Sequence, residues 1–350
     1  SGWGKNTFMR TLIVTLAATH SPDEFHAHVL DLGGRNLDLL KVFPHVGTVI
    51  RPDEGGYEER VQQLLRELND IVDRRKRLFS EAGVSTLYEY NIGHPERREP
   101  AILVAIDNFA EYIESFGGAN KSDEEDNLLG ALVLLVRQAK AYGLHFVISA
   151  MRPNELSSKL YSLFTERLTL RLSDSTQYRA IVGGQVTEID EIPGRGYIRV
   201  ARQPLEFQIA VATGVIEDGQ LQQEVPQIRL LGQQMQTVGA GLWTSQPPLR
   251  IDKLEEKSSY RQVQTEILHI NQDHRFLDEL KAATREVWAR NGSAEGADWL
   301  RVVLGITSGN RMRELQLEAK RDGVHGLIAG GTGSGKSELL MTLIVGLALN

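Results

Sequence analysis

The sequence contains no cysteine. Disulfides and zinc–thiolate sites are excluded, and a reducing interior is compatible with what remains. It also lacks a basic excess: Lys+Arg number 39 against Asp+Glu 46, a formal net charge of -7 at pH 7. That balance gives no support for a broad nucleic-acid surface, although a local basic strip is compatible with it. The opening Ser1-Gly2-Trp3-Gly4-Lys5 has neither the basic start nor the apolar run of a secretory signal. The apolar run near the end, Leu339 to Leu349, is shorter than the ~20 residues that span a bilayer. The segment is expected to be soluble. Both ends read as cuts, the first inside a glycine-rich motif and the second inside a helix.

What is present fits a globular protein of about two domains. There are 350 residues, 41% of them hydrophobic, enough for a sizeable core. The clearest chemical signal is Gly330-Gly331-Thr332-Gly333-Ser334-Gly335-Lys336-Ser337, which fits G-x-x-x-x-G-K-[ST] completely. Glycines let the backbone curl so that successive N–H groups point at phosphate oxygens. Lys336 is placed to reach the β- and γ-phosphates of ATP, and the Ser337 hydroxyl to ligate Mg²⁺. The positive end of the following helix, beginning at Glu338, adds to the same site. The flanks agree: Val324 to Ala329 reads as a short buried strand and Glu338 to Val345 as a helix. The competing reading is a flexible Gly/Ser loop that matches by accident.

A second, incomplete copy opens the chain. Gly2, Trp3, Gly4, Lys5, Asn6 and Thr7 resemble the tail of the same motif. The helix candidates that follow echo one another, Arg-Thr-Leu-Ile-Val-Thr-Leu-Ala from Arg10 and Met-Thr-Leu-Ile-Val-Gly-Leu-Ala from Met341. This is an internal repeat spaced by more than one domain length. Asn6 stands where Ser or Thr would hold the metal, and an amide oxygen is a poorer match for that position. Thr7 sits differently on the first helical turn.

Between the copies, apolar runs alternate with helical patterns. Strands are expected at Phe25 to Leu30, Ala101 to Asn108, Leu144 to Ser149 and Arg167 to Leu172, and a hairpin over Tyr197 to Val200 and Phe207 to Ala212. Helices are expected at Arg60 to Ala82, Leu128 to Ala141 and Asp278 to Arg290. The Arg74-Arg75-Lys76-Arg77 run reads as a solvated helix face, with a basic contact surface as the alternative. The alternation predicts an α/β fold with a mainly parallel sheet flanked by helices. The strand ending in Asp107 supplies the second element of a phosphate site, where Asp107 would hold Mg²⁺ directly or through water. The next residue is commonly Glu, which activates the attacking water. Here it is Asn108, whose amide orients water but cannot accept a proton. His20, His26 and His28 lack ligand spacing and read as ordinary.

With these elements placed, the chain resembles the FtsK/SpoIIIE family of P-loop motor ATPases. The glycine loop, Leu65 to Asn91, the Ile106-Asp107 strand, Ala139 to Pro153, and Leu170 to Tyr197 with Asp174, Arg179, Gly183-Gly184 and Pro193 to Gly196 carry the resemblance in order. It implies a RecA-like P-loop NTPase fold: a degenerate first module over 1–213, a linker over 214–297 and the start of a second module over 298–350. Tandem modules, with Leu30 to Gly34, Pro44 to Gly47 and Gly323 to Gly326, are similar to the central ATPase of type VII secretion. The partners so implied are small helical secreted proteins, a membrane secretion complex at the cytoplasmic face of the bacterial inner membrane, and copies of the chain in a ring. DNA, pumped by a double-stranded translocase, is the alternative. In such rings one subunit's arginine completes its neighbour's site, and Arg152 and Arg179 are the candidates by position. Asn6, Asn108 and the apolar Ala150-Met151 after the third expected strand weaken three positions, so the first module is expected to bind ATP with slow or no hydrolysis.

Overall fold

The structure, a computed structural model, describes residues 2–117, 128–172, 176–184, 186–201, 203–217, 220–239, 243, 247–254, 258–259, 276–291, 300–307 and 311–349. The chain forms two compact units, Ser1–Ile251 and Asp252–Asn350.

The first unit opens with α1 (Lys5–Thr19), β1 (Phe25–Asp31), a 3₁₀ turn (Asp38–Val42), β2 (Val46–Ile50), α2 (Tyr57–Ala82), α3 (Leu87–Gly93), β3 (Ala101–Asp107), α4 (Phe109–Phe116), α5 (Leu128–Ala139) and β4 (Leu144–Ile148). The four strands form a parallel sheet in the order β2-β1-β3-β4. Every residue of β1 is buried, as are six of seven in β3. Covered on both faces, these strands have to be continuously apolar, which is why they stand out in the sequence. On one face Ala27 and Val29 meet Met9, Ile13, Val14 and Ala17 of α1. On the other, Leu30, Val104 and Ile106 meet Val61, Leu64, Leu68 and Val72 of α2 with Phe109, Tyr112 and Leu132.

The basic run on α2 is split: Arg74 and Arg77 are exposed as a solvated face would be, whereas Arg75 is buried. Arg75 is 1% exposed and donates to the carbonyls of Tyr142 and Pro100 at 2.6 Å each, while its Nε reaches Glu99 at 3.1 Å. Arg74 grips Glu99 with both terminal nitrogens, and Lys76 pairs with Asp73. Burial pushes the Glu99 carboxyl up, but the two guanidiniums outweigh it and hold it below its usual range. Arg77 is exposed.

After β4 come α6 (Ser158–Tyr161), β5 (Leu168–Leu170), α7 (Thr176–Val182), β6 (Arg195–Val200) and β7 (Gln203–Gln208). The last three strands form a separate antiparallel sheet, β5-β6-β7. The expected hairpin is present with a tighter turn: Val200 pairs with Gln203, and Pro204 lies inside β7 opposite Arg199. Proline is tolerated there because β7 is an edge strand.

The passage 214–297, expected as a linker, begins as part of this unit. It forms β8 (Val215–Glu217), β9 (Gln220–Gln222) and α8 (Glu224–Gly239). Ile228 is fully buried in the α1-side core, and Gly232 lies so close to Val42 that a Cβ would overlap it. Arg10 of α1 pairs with the buried Glu224 at 2.8 Å. Leu249 to Ile251 then runs along β2. The Thr48 hydroxyl donates to the Leu249 carbonyl at 3.0 Å and accepts from the Ile251 amide at 2.9 Å, and Arg60 Nε donates to the Ile251 carbonyl at 3.0 Å. These bonds occupy backbone groups that a free linker would leave to water.

The second unit contains α9 (Phe276–Asn291), β10 (Arg301–Thr307), β11 (Arg311–Gln316) and α10 (Lys336–Leu349). β10 and β11 pair antiparallel. The strand expected over Val324 to Ala329 does not form; Leu327 there is 95% exposed. A strand needs a ladder partner, and among the described residues β10 and β11 pair only with each other. Among the described residues no helix is long and apolar enough to cross a membrane. Asp174 and Trp299 lie outside the described residues.

Candidate functional site

Both glycine loops deliver a lysine to the first position of a helix. In the second copy, Gly333 (φ 79°) and Gly335 (φ 89°) take left-handed backbone that other residues disfavour, and α10 starts at Lys336. Lys336 Nζ folds back over the loop and donates to the carbonyls of Gly330 and Gly331 at 2.5 and 2.6 Å. Gly330 lies against the Ser334 hydroxyl, with no room for a Cβ. Gly331, Thr332, Gly333, Ser334, Gly335, Ser337 and Glu338 are all exposed. An ammonium in the bowl of such a loop, beside helix-terminal N–H groups, is a donor set that fits phosphate oxygens. Ser337, on the first turn, presents an exposed hydroxyl beside the lysine.

In the first copy Gly4 (φ 102°) precedes α1, which starts at Lys5, so the local backbone matches the second copy. Gly4 is pressed against the backbone of Gly194, and the Gly194 amide donates to the Trp3 carbonyl at 3.0 Å. The Trp3 ring lies under the Arg171 guanidinium, 4.7 Å from its centroid. Lys5 Nζ donates to the Ala150 carbonyl at 3.4 Å, and Thr7 accepts from Arg10 at 3.4 Å.

Asp107 ends β3 beside Asp31, which ends β1 in register with it. It is 3% exposed. The Ser149 hydroxyl donates to its Oδ1 at 2.5 Å. With its amide assigned so that the nitrogen faces the acid, Asn6 donates to Oδ1 at 3.3 Å and Oδ2 at 3.1 Å, and its oxygen accepts from Asn36 Nδ2 at 2.8 Å. The opposite amide orientation would set oxygen against carboxylate oxygen. Gly33 closes the far side, its Cα so near Asp107 Oδ2 that a Cβ would overlap it. Asn108 takes left-handed backbone (φ 59°), which asparagine tolerates, and its Nδ2 donates to the Leu32 carbonyl at 3.4 Å. Burial raises the Asp31 carboxyl above its usual range, against the Leu37 amide that lowers it; neighbouring Asp107 adds to the rise.

Magnesium does not fit this first site as its residues stand. A serine hydroxyl can donate to the acid and still turn a lone pair to a cation. The Asn6 amide divides those tasks between two atoms: its nitrogen faces Asp107 and its oxygen faces Asn36. Sequence reasoning names Asn6 and Asp107, and leaves Ser149 as the polar residue beside Ala150-Met151, but misses Asn36 and the closeness of Gly33. Arg152, which opens the turn after β4, and Arg179 on α7 are both exposed. Among the described residues no three His, Asp or Glu side chains form a metal-holding group.

The profile of the FtsK/SpoIIIE family matches residues 1–199 and 297–350. The chain belongs to that family. The match includes both glycine loops and leaves out 200–296. ESX secretion system protein EccC of Geobacillus thermodenitrificans is 27% identical over 199 residues, 57% of this chain and 13% of that protein. The chain therefore spans about an eighth of that relative's length. Among solved structures, EssC (ATPases 2 and 3) from the same organism superposes with TM-score 0.71 at 22% identity, over 99% of this chain and 57% of that one. Thermomonospora curvata EccC (ATPases 2 and 3), in complex with a signal sequence peptide, gives TM-score 0.69 at 20% identity, over 99% and 54%. The fold is thus the α/β P-loop fold of this family: a parallel sheet of four strands flanked by helices.

Proposed function

We propose that this FtsK/SpoIIIE chain is the tandem nucleotide-binding part of an ATPase that powers protein export in a type VII secretion complex. The observation that carries the reading is the repeated geometry: two glycine loops, each delivering its lysine to a helix start, inside the two segments that match the family. Lys336 and Ser337 belong to the loop that supports ATP and Mg²⁺ binding. Lys5 belongs to a loop that holds nucleotide with little or no turnover, because Asp107 is occupied and Asn108 cannot take a proton. The likeness to an EccC structure carrying a signal sequence peptide supports a helical secreted protein as partner. Arg152 and Arg179 are exposed and free to serve a neighbouring subunit in a ring.

The test is ATP turnover by the full-length protein. A secretion-signal peptide is expected to stimulate it, and double-stranded DNA to leave it unchanged. Stimulation by DNA that falls steeply with salt would instead select a DNA translocase. The engaged Arg74 to Lys76 cluster and the net charge of -7 weigh against that outcome.

The weak first site makes its own prediction. With the second loop silenced by Lys336→Ala, Asn108→Glu alone is expected to leave first-site turnover near background, since Asn6 still holds Asp107. Adding Asn6→Ser is expected to raise turnover about a hundredfold, the ordinary yield of a general base. Equal rates for the single and double variants in a phosphate-release assay would show that Asn6 is not the obstacle.

A further inference from the structure

We infer that the first glycine-loop site takes its nucleoside polyphosphate without a divalent cation, the Asn6 amide nitrogen occupying Asp107 in the metal's stead. This rests on the reading that the first site holds nucleotide, and it goes further by assigning the chemical form of the ligand.

The argument starts from what Asp107 needs. A carboxylate 3% exposed at the end of a central strand must have its charge answered by donors or a cation. Here the answer is complete from within the chain: the Ser149 hydroxyl at 2.5 Å and the Asn6 amide at 3.3 and 3.1 Å. Its other flank is closed by the Gly33 backbone, where even a methyl group would overlap Oδ2. The shell is itself braced. Asn36 donates to the Asn6 oxygen at 2.8 Å, the Asn108 side chain donates to the Leu32 carbonyl at 3.4 Å, and the Asn108 main-chain N–H donates to the Ser149 hydroxyl at 3.0 Å. The first turn of α1, the end of β4 and the Gly33 turn therefore converge on one carboxylate, and both donors are neutral. Magnesium demands near-ideal octahedral geometry and gives up its waters reluctantly, so it competes poorly for a buried carboxylate that already accepts from Ser149 and Asn6. What remains for a polyphosphate is the Lys5 ammonium, the loop's main-chain N–H groups and the positive end of α1.

The second loop provides the internal contrast. Ser337 stands where Asn6 does, and its hydroxyl is exposed and can face a cation. One chain thus carries a metal-compatible and a metal-independent version of the same loop.

The test is binding of fluorescent mant-ATP to the full-length protein, with Lys336→Ala to silence the second loop. The first site's share is taken as the binding lost on Lys5→Ala. That share is expected to have the same Kd in magnesium and in EDTA, within about twofold. Asn6→Ser restores a hydroxyl that can serve acid and cation together, and is expected to make binding about tenfold tighter in magnesium than in EDTA. First-site binding that requires magnesium in the unaltered loop overturns this inference and leaves the nucleotide-holder reading standing. No Lys5-dependent binding in either buffer overturns both.

Discussion

Lys336→Ala is expected to lower ATP turnover of the full-length protein by about a hundredfold or more. The second loop offers main-chain N–H groups and one ammonium, and Lys336 Nζ already lies in the bowl, within 2.6 Å of two loop carbonyls. Removing a charged donor aimed at phosphate forfeits a hydrogen bond of about 1.5–3 kcal/mol, and the loss grows as charge builds on the transferring group. Lys336→Arg is expected to fail nearly as badly. A planar five-donor fork does not fold into a bowl whose wall is glycine backbone in contact with Ser334. Lys5→Ala, by contrast, should change turnover less than about twofold, because its loop ends at an acid held by amide and hydroxyl rather than at a catalytic pair. Steady-state phosphate release from the three variants decides it. Equal losses from Lys5→Ala and Lys336→Ala would mean that the two loops share the chemistry, and the division of labour proposed here would fall.

The parts of this protein legible from sequence are those whose causes are local. β1 and β3 show as apolar runs because burial on both faces forbids polar alternation. α2 shows because its buried Val61, Leu64, Leu65 and Leu68 recur at helical spacing. The glycine loops show because curling around phosphate requires glycine at set positions. α8 did not show: its glutamine-rich face obscures the few residues that pack, Ile228 and Gly232, and their partners lie far away on the Asp38–Val42 turn. Val324 to Ala329 was legible and misleading, since an apolar run cannot reveal whether a neighbouring strand exists to pair with it. The neutral shell around Asp107 was invisible for the same reason. Asn6, Asn36 and Ser149 are ordinary polar residues until the sheet brings them within 3.3 Å of one another's partners.

Acid is expected to destabilise the first unit well above the pH at which carboxylates titrate. His26 and His28 lie in the fully buried β1, 7% and 1% exposed. Burial pushes His26 down to about 4 and His28 down to about 3, from an ordinary 6.5. Burial lowers His45 too, at 2% exposure. A base with a depressed folded pKa is neutral in the fold but takes a proton in the unfolded chain. Its contribution is therefore fully present above about pH 6.5 and is lost as pH falls toward the folded values. Near pH 5 each of His26 and His28 withdraws about 2 kcal/mol, so about 4 kcal/mol together. Asp31 acts in the opposite direction, since its raised pKa lets the fold keep a proton the unfolded chain releases. For a domain of ordinary stability, such a loss is a large share of the total. Urea midpoints at about pH 7.5 and about pH 5 measure the effect. The double variant His26→Gln and His28→Gln should flatten the dependence, whatever it does to stability at neutral pH. An unaltered protein with the same midpoint at both values would mean that these imidazoles are reached by water and protonate in place.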